Sequence, residues 1–199
     1  MFEEREGNRD IETRILLLDT PFGSEPHQRE RDRAAAWLLE HADRAYPILI
    51  ARLIEGILSA GAIALLPRFG RAESIAPLTR LLTGPEGIAW ESGQALAQHP
   101  QPAAGEALRH ALANSDPAVA IIAADALARR GDRGDCAALT KRLNATHSGL
   151  RFHALQAAAL LECLSRDAIA ERAETDPDPE VRSLATRLLT QSSAHQENK

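Results

Sequence analysis

The sequence predicts an all-α protein, a right-handed α-solenoid of about five to six helical-hairpin repeats, and three observations carry that prediction. First, Leu49, Leu78, Leu108, Leu139 and Ile169 stand 29, 30, 31 and 30 residues apart, and their neighbours recur in the same register. A self-similar period of about 30 residues marks an array in which each unit buries its apolar face against the next. Second, three further columns hold phase at a step of 31 over four units: Ile88, Val119, Leu150, Val181; Ser92, Ala123, Ala154, Ala185; and Leu96, Leu127, Ala158, Leu189. Third, 44% of the chain is hydrophobic but only 4% is aromatic, so the core is built from Ala and Leu. Those residues favour helices and let them approach closely, whereas runs of Val, Ile, Thr and Tyr that would build a sheet are missing.

Each unit reads as two antiparallel helices, A then B. In the A helices the leading column is followed four residues later by Leu53, Leu82, Leu112, Leu143 and Ala173, which places both side chains on one face. The small column beginning at Ser92 gives the B helices a close-packing face. The expected units are about 44–70, 71–100, 101–131, 132–162 and 163–191. Asn114-Ser115-Asp116-Pro117 and Asp176-Pro177-Asp178-Pro179 precede B helices, with Asp or Ser capping free backbone donors and Pro tolerated in the first turn. Gly70, Gly131 and His99-Pro100 end B helices.

Residues 11–43 read as a degenerate capping repeat. Ile11 to Leu18 supplies its A helix, Thr20-Pro21-Phe22-Gly23-Ser24 a turn-rich break, and the stretch around Trp37 its B helix. Together 11–191 form one expected repeat domain, with a flexible start at 1–10 and a polar, disordered tail at 192–199.

Asp178-Pro179-Glu180-Val181-Arg182-Ser183-Leu184-Ala185 fits the pattern Asp-Pro-x-x-Val-Arg-x-x-Ala, and Asp116-Pro117-Ala118-Val119 with Ala123 is a weaker copy. Gly149-Leu150-Arg151 with Ala154 keeps the Arg and loses Asp-Pro. This resembles the HEAT-like repeats first associated with phycobilisome lyases, over roughly residues 44–191. The resemblance implies the fold but leaves the function open, because the family includes lyase subunits, hydroxylases, scaffolds and adaptors. Ala89 and Ala120 replace the usual Arg, so the inter-repeat polar ladder of that family is expected to be interrupted there.

Composition and motifs narrow the chemistry. The net charge is -5, with 23 basic and 28 acidic residues and no basic stripe, which argues against nucleic-acid binding. No apolar run is long enough to span a bilayer, and the charged start does not read as a secretory signal. Cys136 and Cys163 form no CxxC pair and read as small packing residues; two thiols in this length suggest a reduced, cytoplasmic setting. The seven histidines show no HExxH or other i, i+4 pairing, and there is no His-Glu dipeptide of the kind the family's metal-dependent hydroxylases carry. His153 therefore reads as a partly buried, hydrogen-bonded structural residue. Arg130-Gly131-Asp132 and Arg133-Gly134-Asp135 read as plain turns rather than adhesion motifs. No catalytic set, metal site or cofactor is expected.

One column breaks the expected polarity. Trp90, Ile121 and Phe152 stand 31 apart, one residue after positions that should begin a polar face, and Gly93, Ala124 and Leu155 repeat the step three residues on. Stacked B helices would align them as an apolar strip flanked by Gln94, Asp125, Gln156 and Arg187. An apolar centre with a polar rim is how protein-binding patches are built. Burial of the column between neighbouring B helices, or use of it in a homo-oligomer, stays open. The expected function is a non-catalytic scaffold or adaptor, such as one in a bacterial complex or an immunity-type inhibitor, binding a partner protein on the concave B-helix face. The alternative is a chromophore-handling subunit like a bilin lyase, in which Trp90 and Phe152 would stack on a tetrapyrrole. Nucleic-acid binding ranks third.

Overall fold

The computed structural model describes residues 2–19 and 25–196, with side chains described over 9–19 and 25–191. The described residues form twelve α-helices and three short 3-10 turns, with no strand among them. The chain is thus an all-α protein of consecutive helical hairpins, the solenoid class. It divides into two compact units, Met1–Ala104 and Gly105–Lys199.

The first unit holds α1 (Phe2–Leu17), α2 (Glu25–Glu40), α3 (Ala42–Glu55), α4 (Ala60–Leu65), α5 (Ile75–Leu81) and α6 (Glu86–Gln98). The boundary falls within α7 (Pro102–Leu112), and the second unit continues through α8 (Pro117–Arg130), α9 (Cys136–Arg142), α10 (Ser148–Leu160), α11 (Arg166–Thr175) and α12 (Pro179–Gln196). Odd-numbered helices are the A helices and even-numbered ones the B helices. In the first unit α4 packs on α6; in the second α10 packs on both α8 and α12.

The repeat columns are the core. Leu49, Leu78, Leu108 and Leu139 are fully buried, as are Ser92, Ala123, Ala154 and Ala185. A column of such small side chains lets neighbouring B helices approach closely, and Leu96 in the first unit and Leu127 in the second are each fully buried. Caps follow the turn chemistry. Asp116 Oδ1 accepts from Ala118 N at 2.9 Å with Pro117 in the first turn of α8, and Gly131 ends that helix at φ 76°, a conformation costly for any side chain.

Two ends differ from expectation. Helix α1 begins at Phe2, so residues 2–10 are helical rather than a flexible lead, and no proline or glycine pair interrupts them before Ile11 and Ile15 reach the core. At the other end α12 runs to Gln196, five residues past the expected end of the last repeat, because Ser192 to His195 contains no helix breaker. The Thr20–Ser24 break lies outside the described residues.

In the first unit, the B helix of the third and fourth elements' hairpin is short. Helix α4 gives way to a 3-10 turn, Leu66–Phe69, at Pro67, whose ring cannot continue α-helical bonding. A polar knot secures the turn that follows. The carbonyl of Arg71 accepts from the Tyr46 hydroxyl and from Ser74 Oγ, each at 3.1 Å. His99, only 1% exposed, also faces that carbonyl: Gln101 N donates to its Nδ1, so Nε2 carries the proton that points to Arg71 O at 3.3 Å. Burial leads the influences that raise the Tyr46 pKa, ahead of an opposing hydrogen bond with Ser74.

In the second unit, Cys136 and Cys163 are joined in a disulfide, with their Cα atoms 5.2 Å apart. This corrects the reading of two free packing thiols. Cys136 opens an A helix and Cys163 follows a B helix. What the linear spacing hid is that antiparallel pairing of α9 and α10 brings the two open ends of that hairpin together. The cross-link turns the hairpin into a covalent ring, and closing a loop of this size removes roughly 3–4 kcal/mol of unfolded-chain entropy in the chain-entropy picture.

The polar ladder is present in one place and absent in another. Arg151 and Asp176 form a buried ion pair, while Arg172 reaches back from α11 to Leu143 O at 3.0 Å and Asn144 Oδ1 at 2.6 Å. One repeat earlier the positions of Arg151 and Asp176 are filled by Ala120 and Ala145, so guanidinium and carboxylate are lost together and neither is left buried alone.

Candidate functional site

The polarity-breaking column lies on the exposed edge of the B helices, and each of its members is placed as follows. Trp90 sits on α6 in the first unit with 36% of its surface exposed. Gln94, one turn on, is half-buried, and its Nε2 has no hydrogen-bond partner. In the second unit Ile121 is half-buried on α8, its Cδ1 close to Gly149 at the start of α10, where even a methyl group would come within 3.4 Å. Phe152 is half-buried on α10 and packs against a cluster including Leu143, Leu155, Val181 and Leu184.

Leu155 does not belong to this face. It is 0% exposed and lies in the core, as do Ala124 and Gly93 in the same column. The reason is the packing of α10 between α8 and α12. With a neighbour on each side, a B helix keeps only a narrow strip open, and the i+3 position rotates into the contact while i+4 stays outside.

The i+4 row is the true ridge. On α10 it runs Phe152, Gln156, Leu160, with Gln156 exposed and Leu160 67% exposed. A groove lies on either side of it. One, of about 330 Å³, is lined by Asp125, Ala128 and Arg129 of α8 and Gln156, Ala157 and Leu160 of α10. The other, of about 380 Å³, is lined by Phe152 of α10 and by Pro179, Glu180, Ser183 and Arg187 of α12. Arg187 is exposed at the rim. The sequence reading missed Leu160, Arg129 and Glu180. The signal for the first two was the spacing of four that links Phe152, Gln156 and Leu160, and Asp125 to Arg129.

Asp125 is tied down rather than free. His153 Nδ1 donates to its Oδ1 at 2.9 Å, bridging α8 and α10 below the first groove, with both side chains partly exposed. His153 thus has the hydrogen-bonded structural role expected of it, and its ring also meets the edge of Phe152 with centroids 5.5 Å apart.

The remaining motif residues fall into turns. Arg133-Gly134-Asp135 is a 3-10 turn capped by Asp132, and Asp135 is fully buried with Oδ1 accepting from Arg109 Nη1 at 2.6 Å. A buried carboxylate cannot serve as an adhesion contact. Among the described residues no cluster of three or more His, Cys, Asp or Glu side chains is placed to hold a metal, and no helix is long and apolar enough to cross a membrane.

A family model for HEAT repeats matches residues 85–159, the stretch that runs from α6 through α10. Over that stretch the chain is similar to HEAT repeats, which are commonly protein-interaction scaffolds. No curated protein matches the chain.

Proposed function

We propose that the chain is a non-catalytic interaction scaffold that receives a partner protein on the B-helix face of its second unit. The observation that carries this reading is Leu160, a large aliphatic side chain left 67% exposed in line with Phe152 and Gln156, with one groove beside Gln156 and Leu160 and another at Phe152. An isolated exposed leucine would need no explanation; a ridge set between two concavities offers shape for a partner to grip. Packed helices hold the ridge in place before binding, so little ordering is needed on contact. Trp90 and Gln94 are a separate candidate contact on the first unit. An adaptor and an immunity-type inhibitor both use such a surface. The phycobilisome lyase-type kinship rests on the Asp178-to-Ala185 motif and its weaker copies, and a bilin-handling role adds only stacking by Trp90 and Phe152.

A cytoplasmic setting is expected for two free thiols. With the disulfide formed, a compartment that preserves disulfides fits this chain better.

The test is affinity capture with the wild type and with Leu160→Glu and Gln156→Arg, after checking that both variants melt with the parent. Loss of the captured protein in both supports the ridge. Full capture by both variants overturns it.

A further inference from the structure

We propose that the Cys136–Cys163 disulfide is a thiol–disulfide exchange site that clamps the α10–α11 turn and opens it on reduction by a dithiol. This inference stands independently of the binding face.

The bond joins two turns at the surface. Cys136 and Cys163 are both partly exposed, unlike the fully buried residues of the core. The two turns differ in backbone strain. The turn at 132–136 is held from several directions: Asp132 Oδ1 accepts from Gly134 N at 2.8 Å, and the buried Asp135 accepts from Arg109. The turn at 161–165 is also tied, by Leu161 N to Ala157 O at 3.1 Å and by Ala168 N to Ser165 Oγ at 3.2 Å, but its centre carries backbone strain. Glu162 is the one non-glycine residue among the described residues with positive φ, at 56°, a conformation that an L side chain adopts at a cost. It is kept there by the hydrogen bonds Glu162 N to Ala159 O and Cys163 N to Ala158 O, at 3.0 and 2.8 Å, by the disulfide on the next residue, and by an exposed ion pair between Glu162 and Arg133. That ion pair spans the same two turns as the disulfide. It is exposed and weak alone, so the disulfide is the main tie between the two turns.

The chemistry balances. A thiolate of the dithiol attacks one sulfur, the S–S bond breaks, and a mixed disulfide forms. The second thiol of the reductant displaces the protein cysteine and closes its own disulfide. Two electrons pass to the protein, and two protons complete the Cys136 and Cys163 thiols. With the ring opened, the turn at Glu162 relaxes first, because it is the one that holds an L residue at positive φ.

The full chain is assayed with and without dithiothreitol, beside Cys136→Ser/Cys163→Ser, by thiol titration, calorimetry and amide hydrogen exchange. Dithiothreitol is expected to release two thiols per chain, lower the wild-type Tm by at least about 5 °C, and raise exchange of the 161–166 amides at least about tenfold while 132–136 change less. The double variant is expected to melt like the reduced wild type and ignore dithiothreitol. If it does not fold, the wild-type comparison alone decides. Thiols already free in air-oxidised protein, a bond that dithiothreitol cannot open in the native state, or an unchanged melt and unchanged exchange after reduction each overturn the proposal.

Discussion

Arg151 and Asp176 meet as a two-pronged buried pair: the guanidinium donates through Nε to Asp176 Oδ2 at 3.0 Å and through Nη2 to Oδ1 at 2.8 Å, with side chains 8% and 0% exposed. Arg151 Nη1 also donates to the carbonyls of Ala145 and Thr146, at 2.9 and 3.0 Å, and Asp176 Oδ1 caps Asp178 N at 3.0 Å. One arginine thus joins the turn before its own helix to the turn before the next. Arg151→Met should destabilise the protein by about 3–5 kcal/mol, since it strands a buried carboxylate. Arg151→Ala combined with Asp176→Ala copies the Ala120 and Ala145 arrangement and should cost less than the sum of the two single changes. Urea melts of the four proteins measure this coupling.

The same pair sets an acid limit. Burial pushes the Asp176 carboxyl up, but the hydrogen bond from Arg151, the N–H of Asp178 and the charges of Arg151 and Arg172 outweigh it, leaving the pKa below the ordinary value of 3.8. A folded pKa below the unfolded one contributes stability that is fully present above the unfolded value. That stability is lost as the pH falls through the lowered folded value. Asp178 shifts the same way, first through its hydrogen bond with Glu180 N. Stability should therefore fall below about pH 4, and Asp176→Asn should flatten that fall while lowering stability at neutral pH. Chemical melts from pH 2 to 7 give the comparison.

Gly61 has no room for a side chain. A Cβ there would lie 2.3 Å from the carbonyl oxygen of Leu18, a backbone atom that cannot swing aside. Gly61→Ala should push α4 from the end of α1 and destabilise the first unit by about 1–3 kcal/mol or more, the range for overpacking. Thermal unfolding followed by circular dichroism reads the loss, and a neutral result would mean that α1 yields readily.

Leu155 and Leu160 separate core from ridge on one helix. Leu155→Ala removes a fully buried side chain and should cost about 2–5 kcal/mol. Leu160→Ala, at an exposed site, should stay within about 0.5 kcal/mol of the parent. Phe152→Ala should fall between them, near 2 kcal/mol, because its ring is half-buried against the Leu143 and Val181 cluster. Equal costs for Leu155 and Leu160 would contradict the orientation of α10 described above.

Much of this was legible in the residues. The columns through Leu49 and Ser92 marked the buried faces, and the Asp116-Pro117 and Gly131 signals marked where α8 begins and ends. Exposure along the proposed contact row was legible by row but not by side. Trp90, Ile121, Phe152, Gln94, Asp125, Gln156 and Arg187 retain some exposure, whereas Leu155 does not. A helix has positions at both i+3 and i+4 near one face, and sequence cannot say which of them a neighbouring helix covers.

Sequence alone determined the all-α class, the period, the turn positions and the small-residue seams, because these follow from local propensity and from side-chain spacing along one helix. Tertiary structure decided the Cys136–Cys163 bond, the Arg151–Asp176 pair, the burial of His99 and the exposure of Leu160. Those residues are separated from their partners, or from what covers their neighbours, by 25 residues or more in the first three cases. Such distances close only when hairpins pack, so the chemistry that depends on them is written in the packing rather than in the order of residues.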